Sequence, residues 1–187
     1  MRGGSNTRYR TVARSVSLFQ SFLVEQSDPD HFYSEMASDT VQLIRRHEEL
    51  LGRVVLDVGA GDGRFRSDFE NAGASYLALD PTPSLGQDSM DRIRAEGERL
   101  PLADSSIDVV MSSNVMEHVS QPGHIAEEML RVLKPGGLLF ISYTAWYGPW
   151  GGHETSPWHL LGGHFARRRF ERKNGRPPKN RFGETMH

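Results

Sequence analysis

Apolar residues recur along this chain with two different periods. Val12, Val16, Phe19 and Leu23 repeat at helical spacing and predict a helix over 11–26. Ser27-Asp28-Pro29-Asp30 breaks that run and offers cap residues for a second helix. Its apolar face is intermittent: Phe32, Met36, Val41, Leu43, Ile44, Leu50 and Leu51. Together the helices make an N-terminal flank over 1–52. At Arg53 the period shortens. Val54, Val55, Leu56 and Val58 form an almost continuous apolar run ending in glycines, as a strand buried on both faces would. A short amphipathic helix over 64–71 stops at Gly73. Further strands are expected over 76–79, 92–96, 107–112 and 138–143, with a loop over 81–87. A helix over 122–133 carries Ile125, Met129, Leu130 and Leu133 on one face, and Lys134-Pro135-Gly136-Gly137 reads as a turn. Strands and helices in alternation predict an α/β fold over 53–145, a mostly parallel sheet with helices on both faces. Residues 146–187 read as a loop followed by a basic helix or tail.

Composition narrows the class. The 187 residues carry a net charge of −2 and 25% charged side chains, which fits one globular domain and marks neither a disordered chain nor a strongly nucleic-acid-binding one. There is no cysteine, so disulfides, a thiol nucleophile and thiolate-ligated zinc are excluded. No apolar run approaches the roughly 20 residues that span a bilayer, and the basic N-terminus lacks a signal-peptide centre. A soluble, cytoplasmic protein is the expectation. Charge is uneven: 167–181 holds eight Arg or Lys and one acid, Glu171.

The segment Asp57-Val58-Gly59-Ala60-Gly61-Asp62-Gly63-Arg64 carries the candidate chemistry. It is a strand, a glycine-rich bend, then a helix, at the point where open α/β sheets bind ligands. A dinucleotide fingerprint needs G-x-G-x-x-G; here the third glycine comes one residue early and Arg64 holds the sixth position. Asp57 and Asp62 add negative charge, which suits a cation better than a phosphate. Asp80 ends the second strand, where its carboxylate can accept from both hydroxyls of a ribose. The plain alternative for Asp80 is a turn residue before Pro81.

VLDVGAGDG, Asp80, AEGERLPLADSSIDVV, SSNVMEHV and LRVLKPGGLLFISYT occur in order and resemble the class I S-adenosylmethionine (SAM)-dependent methyltransferases, in particular the methyltransferase type 11 group. The later GGHETSPWHLLGGH and PPKNRFGE look like actinobacterial members. The resemblance spans 54–144 and implies a Rossmann-like sandwich with SAM as cofactor. It implies that Asp57 and Gly59 hold the methionine end, with Ala60, Gly61 and Gly63 completing the loop, and that Asp80 holds the ribose. Glu96 stands where the family has Asp for the adenine amino group, Gly97 offers its amide, and Pro81 and Leu100 pack on the ring. Asn114 lies near the reacting methyl. The family sheet has seven strands; no segment after Thr144 alternates like one, so the last strand pair is expected to be missing. An exposed edge, a homodimer that covers it, or a shortened chain would each follow.

The acceptor is less legible. His118 is the candidate general base, or else a residue that orients its loop. Trp146, Tyr147 and Trp150 could wall a pocket for a small-molecule or lipid-like acceptor, or simply pack a loop. His153, Glu154, His159 and His164 suggest a metal, but spacings of six and five do not put the three histidines on one helical face, so no metal is expected. The basic segment from Phe165 reads as a solvated helix face or an anion-binding one, and nucleic acid is not the expected partner. The competing functions are a non-catalytic SAM-binding module, a nicotinamide oxidoreductase and an RNA-interacting protein.

Overall fold

The computed structural model describes residues 28–82, 91–148, 151–181 and 183–186, together with positions 18 and 21. The helix expected over 11–26 lies outside them, apart from Leu18 and Ser21, which are helical. Helix α1 (Pro29–Ile44) starts as its sequence requires: the Asp28 carboxylate accepts from the His31 amide at 3.1 Å, and proline occupies the first turn, where no amide is needed. Strands β1 (Val54–Val58), β2 (Ser75–Leu79), β3 (Arg92–Ile93), β4 (Ile107–Ser113) and β5 (Leu133–Ser142) follow, with α2 (Arg66–Asn71) and α3 (Pro122–Val132) between them. After β5 come short 3₁₀ turns at His153–Thr155 and Trp158–Leu161, and then α4 (Gly163–Asn174).

The strands form one parallel sheet in the order β3-β2-β1-β4-β5. Alternation along each strand divides the core. Val55, Tyr76, Ala78, Val109 and Met111 face Ala37, Val41 and Ile44 of α1 and Phe69 of α2. Leu56, Val58, Leu79 and Val110 face Ile125, Met129 and Val132 of α3. β1 is central and its last four residues are buried, which is why its sequence is apolar without alternation. Asp57 is the exception in that run.

Two expectations are corrected. The strand expected over 92–96 is confined to Arg92–Ile93, because only these pair with Ala78 and Leu79. The turn expected at 134–137 is a bulge within β5: Ile107 pairs with Leu133, and the next pairing is Val109 with Leu138. Gly136 has a φ of 80°, and a Cβ on Gly137 would stand 2.7 Å from the Asp108 carbonyl oxygen, so the bulge lies hard against β4. Asp108 fastens it, accepting from Lys134 Nζ at 2.9 Å and the Val54 amide at 3.0 Å. Among the described residues no strand is assigned beyond β5 in this sheet. No helix among them is long and apolar enough to cross a membrane.

Candidate functional site

The parallel strands all end on one rim, and the glycine loop bends across it. The Gly59 and Ala60 amides both donate to the Leu79 carbonyl, at 2.8 and 3.0 Å, which draws the end of β1 against the end of β2. Gly59 has a φ of 82°, and a Cβ there would stand 2.4 Å from Val115 Cγ2, so this position takes neither another residue's backbone nor its side chain.

Asp80 is locked into the same arrangement. Its Oδ2 accepts from the Gly61 amide at 2.9 Å and its Oδ1 from the Thr82 amide at 2.8 Å. Each oxygen retains a second lone pair, and the residue is half-buried, so the carboxylate can still accept from a ligand. Asp62 continues the loop, its carbonyl accepting from Arg92 Nη2 at 2.5 Å. Arg64 turns outward to an ion pair with Asp30 at 2.5 Å and stacks 4.8 Å from the Tyr33 ring centroid, which ties the start of α1 to the loop.

Asp57 sits beneath the loop, 2% exposed, on the same sheet face as Tyr76, whose hydroxyl donates to it. Burial pushes its carboxyl up to about 7; the Tyr76 hydrogen bond counters this, and the Asp80 charge adds to it. Burial, and then the charge of Asp57, holds the Tyr76 hydroxyl well above the usual phenol range. The cleft thus holds the carboxylates of Asp57 and Asp80 close enough to interact, a field that favours a cationic ligand.

The residues expected around an adenine divide. Glu96 is exposed past β3, and Pro81 is half-buried with its carbonyl 3.2 Å from Arg94 Nε. Gly97 is buried against Ile125, 3.1 Å from where a Cβ would be. Leu100 is 3% exposed within the α3-side core, so its side chain packs the protein and has almost no surface for a ring. Its amide donates to Glu128 Oε2 at 2.9 Å, and Arg131 binds the Leu100 and Leu102 carbonyls, each at 2.9 Å, fixing this loop.

On the other side of β1, Asn114 follows β4 in a left-handed conformation, φ 55°. Its Oδ1 accepts from Thr144 Oγ1 at 3.3 Å, and its Nδ2 meets Met36 Sδ of α1 at 3.3 Å. Glu117 is buried; its Oε1 accepts from the Thr144 amide at 3.0 Å, and its Oε2 has no partner among the described residues. His118 is exposed, with Nδ1 2.8 Å from the Thr185 carbonyl oxygen. Its ring centroid lies 5.9 Å from that of His153, whose imidazole is held below the usual range by burial and then by His118.

Among the described residues, the aromatics of the loop after β5 do not meet one another. Trp146 stands edge-on to His159 at 5.3 Å, Tyr147 is 86% exposed, and Trp150 lies outside the described residues. His159 is buried with Nε2 3.0 Å from the Gly148 carbonyl, and Glu154 accepts the Lys179 and Asn180 amides, so both hold loops in place. Sequence reasoning missed the meeting of Glu117 and His118 with His153, since nothing in local spacing joins residues so far apart. The basic helix is paired in part: Arg167 binds Glu171 and Glu184, and Arg169 lies over Trp158, while Arg168, Arg172 and Lys173 are exposed.

A family profile described as "Methyltransferase domain" matches residues 56–141. An "uncharacterized methyltransferase" of Mycobacteroides abscessus is 46% identical over 94% of this chain and 74% of its own. One from Mycobacterium avium is 43% identical over 96% of this chain and 76% of its own. Among solved structures, a Haloferax volcanii methyltransferase in complex with the Trm112 activator aligns with TM-score 0.50 and 23% identity, covering 68% of this chain and 57% of that one. A methyltransferase from an antibiotic biosynthesis pathway of Anabaena variabilis gives TM-score 0.50 and 22% identity, covering 66% of this chain and 53% of that one. The last two show a shared fold. With a domain that starts at the β1 strand carrying Asp57 and relatives alike along nearly its whole length, the chain belongs to the methyltransferase family.

Proposed function

We propose that the protein transfers a methyl group from SAM to a small-molecule or lipid-like acceptor. The observation that carries this reading is the Gly61 amide donating to Asp80: it fixes a carboxylate beside a glycine loop at the rim of a parallel sheet. The residues present fit a sulfonium nucleoside. Asp80 accepts from the ribose hydroxyls, Gly59, Ala60, Gly61 and Gly63 give the backbone room, and Asp57 supplies charge that offsets the ammonium and sulfonium. Pro81, Glu96 and Gly97 border the adenine side. When bound, SAM supplies an activated methyl that needs no further electrophilic assistance.

The chain's own contribution is alignment and exclusion of water. Asn114, held by Thr144 and Met36, orients groups on the acceptor side of the cleft. For an acceptor that must lose a proton, the Nδ1 contact of His118 with Thr185 leaves Nε2 as the nitrogen that takes it.

A labelled-methyl assay tests the proposal. Wild-type protein incubated with methyl-labelled SAM and a small-molecule extract is expected to label an extract component. Tight SAM binding with no label transferred would leave a binding module in its place. NADH binding in the same cleft, read by fluorescence, would favour an oxidoreductase instead.

A further inference from the structure

Glu117, His118 and His153 each bring one ligating atom to a common point, and these atoms lie within 4.8 Å of one another. None of the three belongs to the groups that would hold SAM. Glu117 is 6% exposed, and its Oε2 is buried without a hydrogen-bond partner among the described residues. His153 Nε2 is likewise buried and unpartnered among the described residues. Unsatisfied buried polar atoms are costly, and native structures retain few of them without a reason. His153 also holds a φ of 44°, a strained conformation for a residue with a Cβ. His118 makes the second contact that ligating histidines usually make: Nδ1–H donating to the Thr185 carbonyl fixes the tautomer and leaves the lone pair on Nε2.

We propose that Glu117, His118 and His153 bind one divalent transition-metal ion of the zinc class, with a fourth position open. Two imidazoles and one carboxylate suit zinc, cobalt or nickel; magnesium and calcium prefer oxygen donors alone. Ligand distances of about 2.0–2.2 Å put tetrahedral donors roughly 3.4 Å apart, so the ion draws the trio inward by about 1–1.5 Å from the 4.8 Å limit. It ties the turn after β4 to the 3₁₀ turn after β5. The fourth position takes water or an oxygen or nitrogen donor of a bound small molecule. His118 Nε2 is a ligand in the loaded protein, so it takes an acceptor proton only in the metal-free chain.

The test uses untagged full-length chain stripped by chelator, with zinc and cobalt ions as probes. After desalting, elemental analysis is expected to find one equivalent of zinc per chain, and cobalt to give the visible absorption of a low-symmetry site. Glu117→Gln and His153→Gln should each weaken zinc binding by at least about tenfold. His164→Ala, at an exposed helical position, should bind as wild type does. If a buried variant fails to fold by circular dichroism, exposed His118→Gln carries the test. No retained equivalent, wild-type affinity in the folded ligand variants, or an equal loss in His164→Ala would overturn the site. Binding of the demethylated cofactor S-adenosylhomocysteine to the metal-free chain is measured in parallel, so failure of this site is distinguishable from failure of the methyltransferase reading.

Discussion

Asp57 shows how one residue can be costly to the fold and useful to the site. Burial pushes its carboxyl up to about 7 in the folded chain, from an ordinary value of 3.8, because it disfavours the charge. Between those values the folded state keeps a proton that the unfolded chain has released. Stability therefore falls as pH rises from about 4 to 7 and levels off above that. Asp57→Asn retains an acceptor for the Tyr76 hydroxyl and removes the charge. It should stabilise the protein at pH 8 by on the order of 2–4 kcal/mol, flatten the pH dependence by that amount, and weaken SAM binding. Urea unfolding at pH 5 and pH 8 measures this; an unchanged slope between the two would remove Asp57 as its source. A cation bound above the loop would pull the carboxyl down, so SAM binding near pH 6.5 should release protons. Calorimetry in buffers of different ionisation enthalpy reads that release directly.

The elements differ in how plainly the chain announced them. β1, β2, β4 and the α3 face follow from apolar runs and helical spacing, because burial on both faces of a central parallel strand leaves little room for polar residues. β3 is short because only two residues find partners on β2, which no local pattern specifies. The Lys134–Gly137 stretch has turn chemistry and makes a bulge, since Asp108 on the neighbouring strand captures it. That carboxylate is held below the usual range by its Lys134 hydrogen bond and then by the Val54 amide. Asp108→Ala leaves the Val54 amide unsatisfied and should cost about 1–3 kcal/mol in chemical unfolding, with no change in cofactor affinity. Equal stability of the variant would show that the bulge holds without this anchor.

Across the whole molecule, the rim of the sheet organises chemistry that sequence reading found only in part. The glycine bend and the acidic end of β2 were legible because a tight bend after a strand needs glycines at particular spacing, and the Gly61–Asp80 contact joins the two. Leu100 was read as a ring contact and lies in the core, since an apolar residue in a loop carries no mark of which way it faces. The Glu117–His118–His153 cluster was invisible for a related reason: long-range folding assembles it from two segments. Of the arginines of α4, Arg167 is taken up by Glu171 and Glu184 and Arg169 by Trp158, while Arg168 and Arg172 keep the exposed face that the sequence predicts. The claim on which the rest depends is that Asp80 grips the sugar of a sulfonium nucleoside. Calorimetric titration of wild type and Asp80→Ala with S-adenosylhomocysteine tests it most directly. Loss of one charge-assisted contact should cost about 1.5–3 kcal/mol of binding in a folded variant. An unchanged dissociation constant, or no binding by the wild type, would contradict the account.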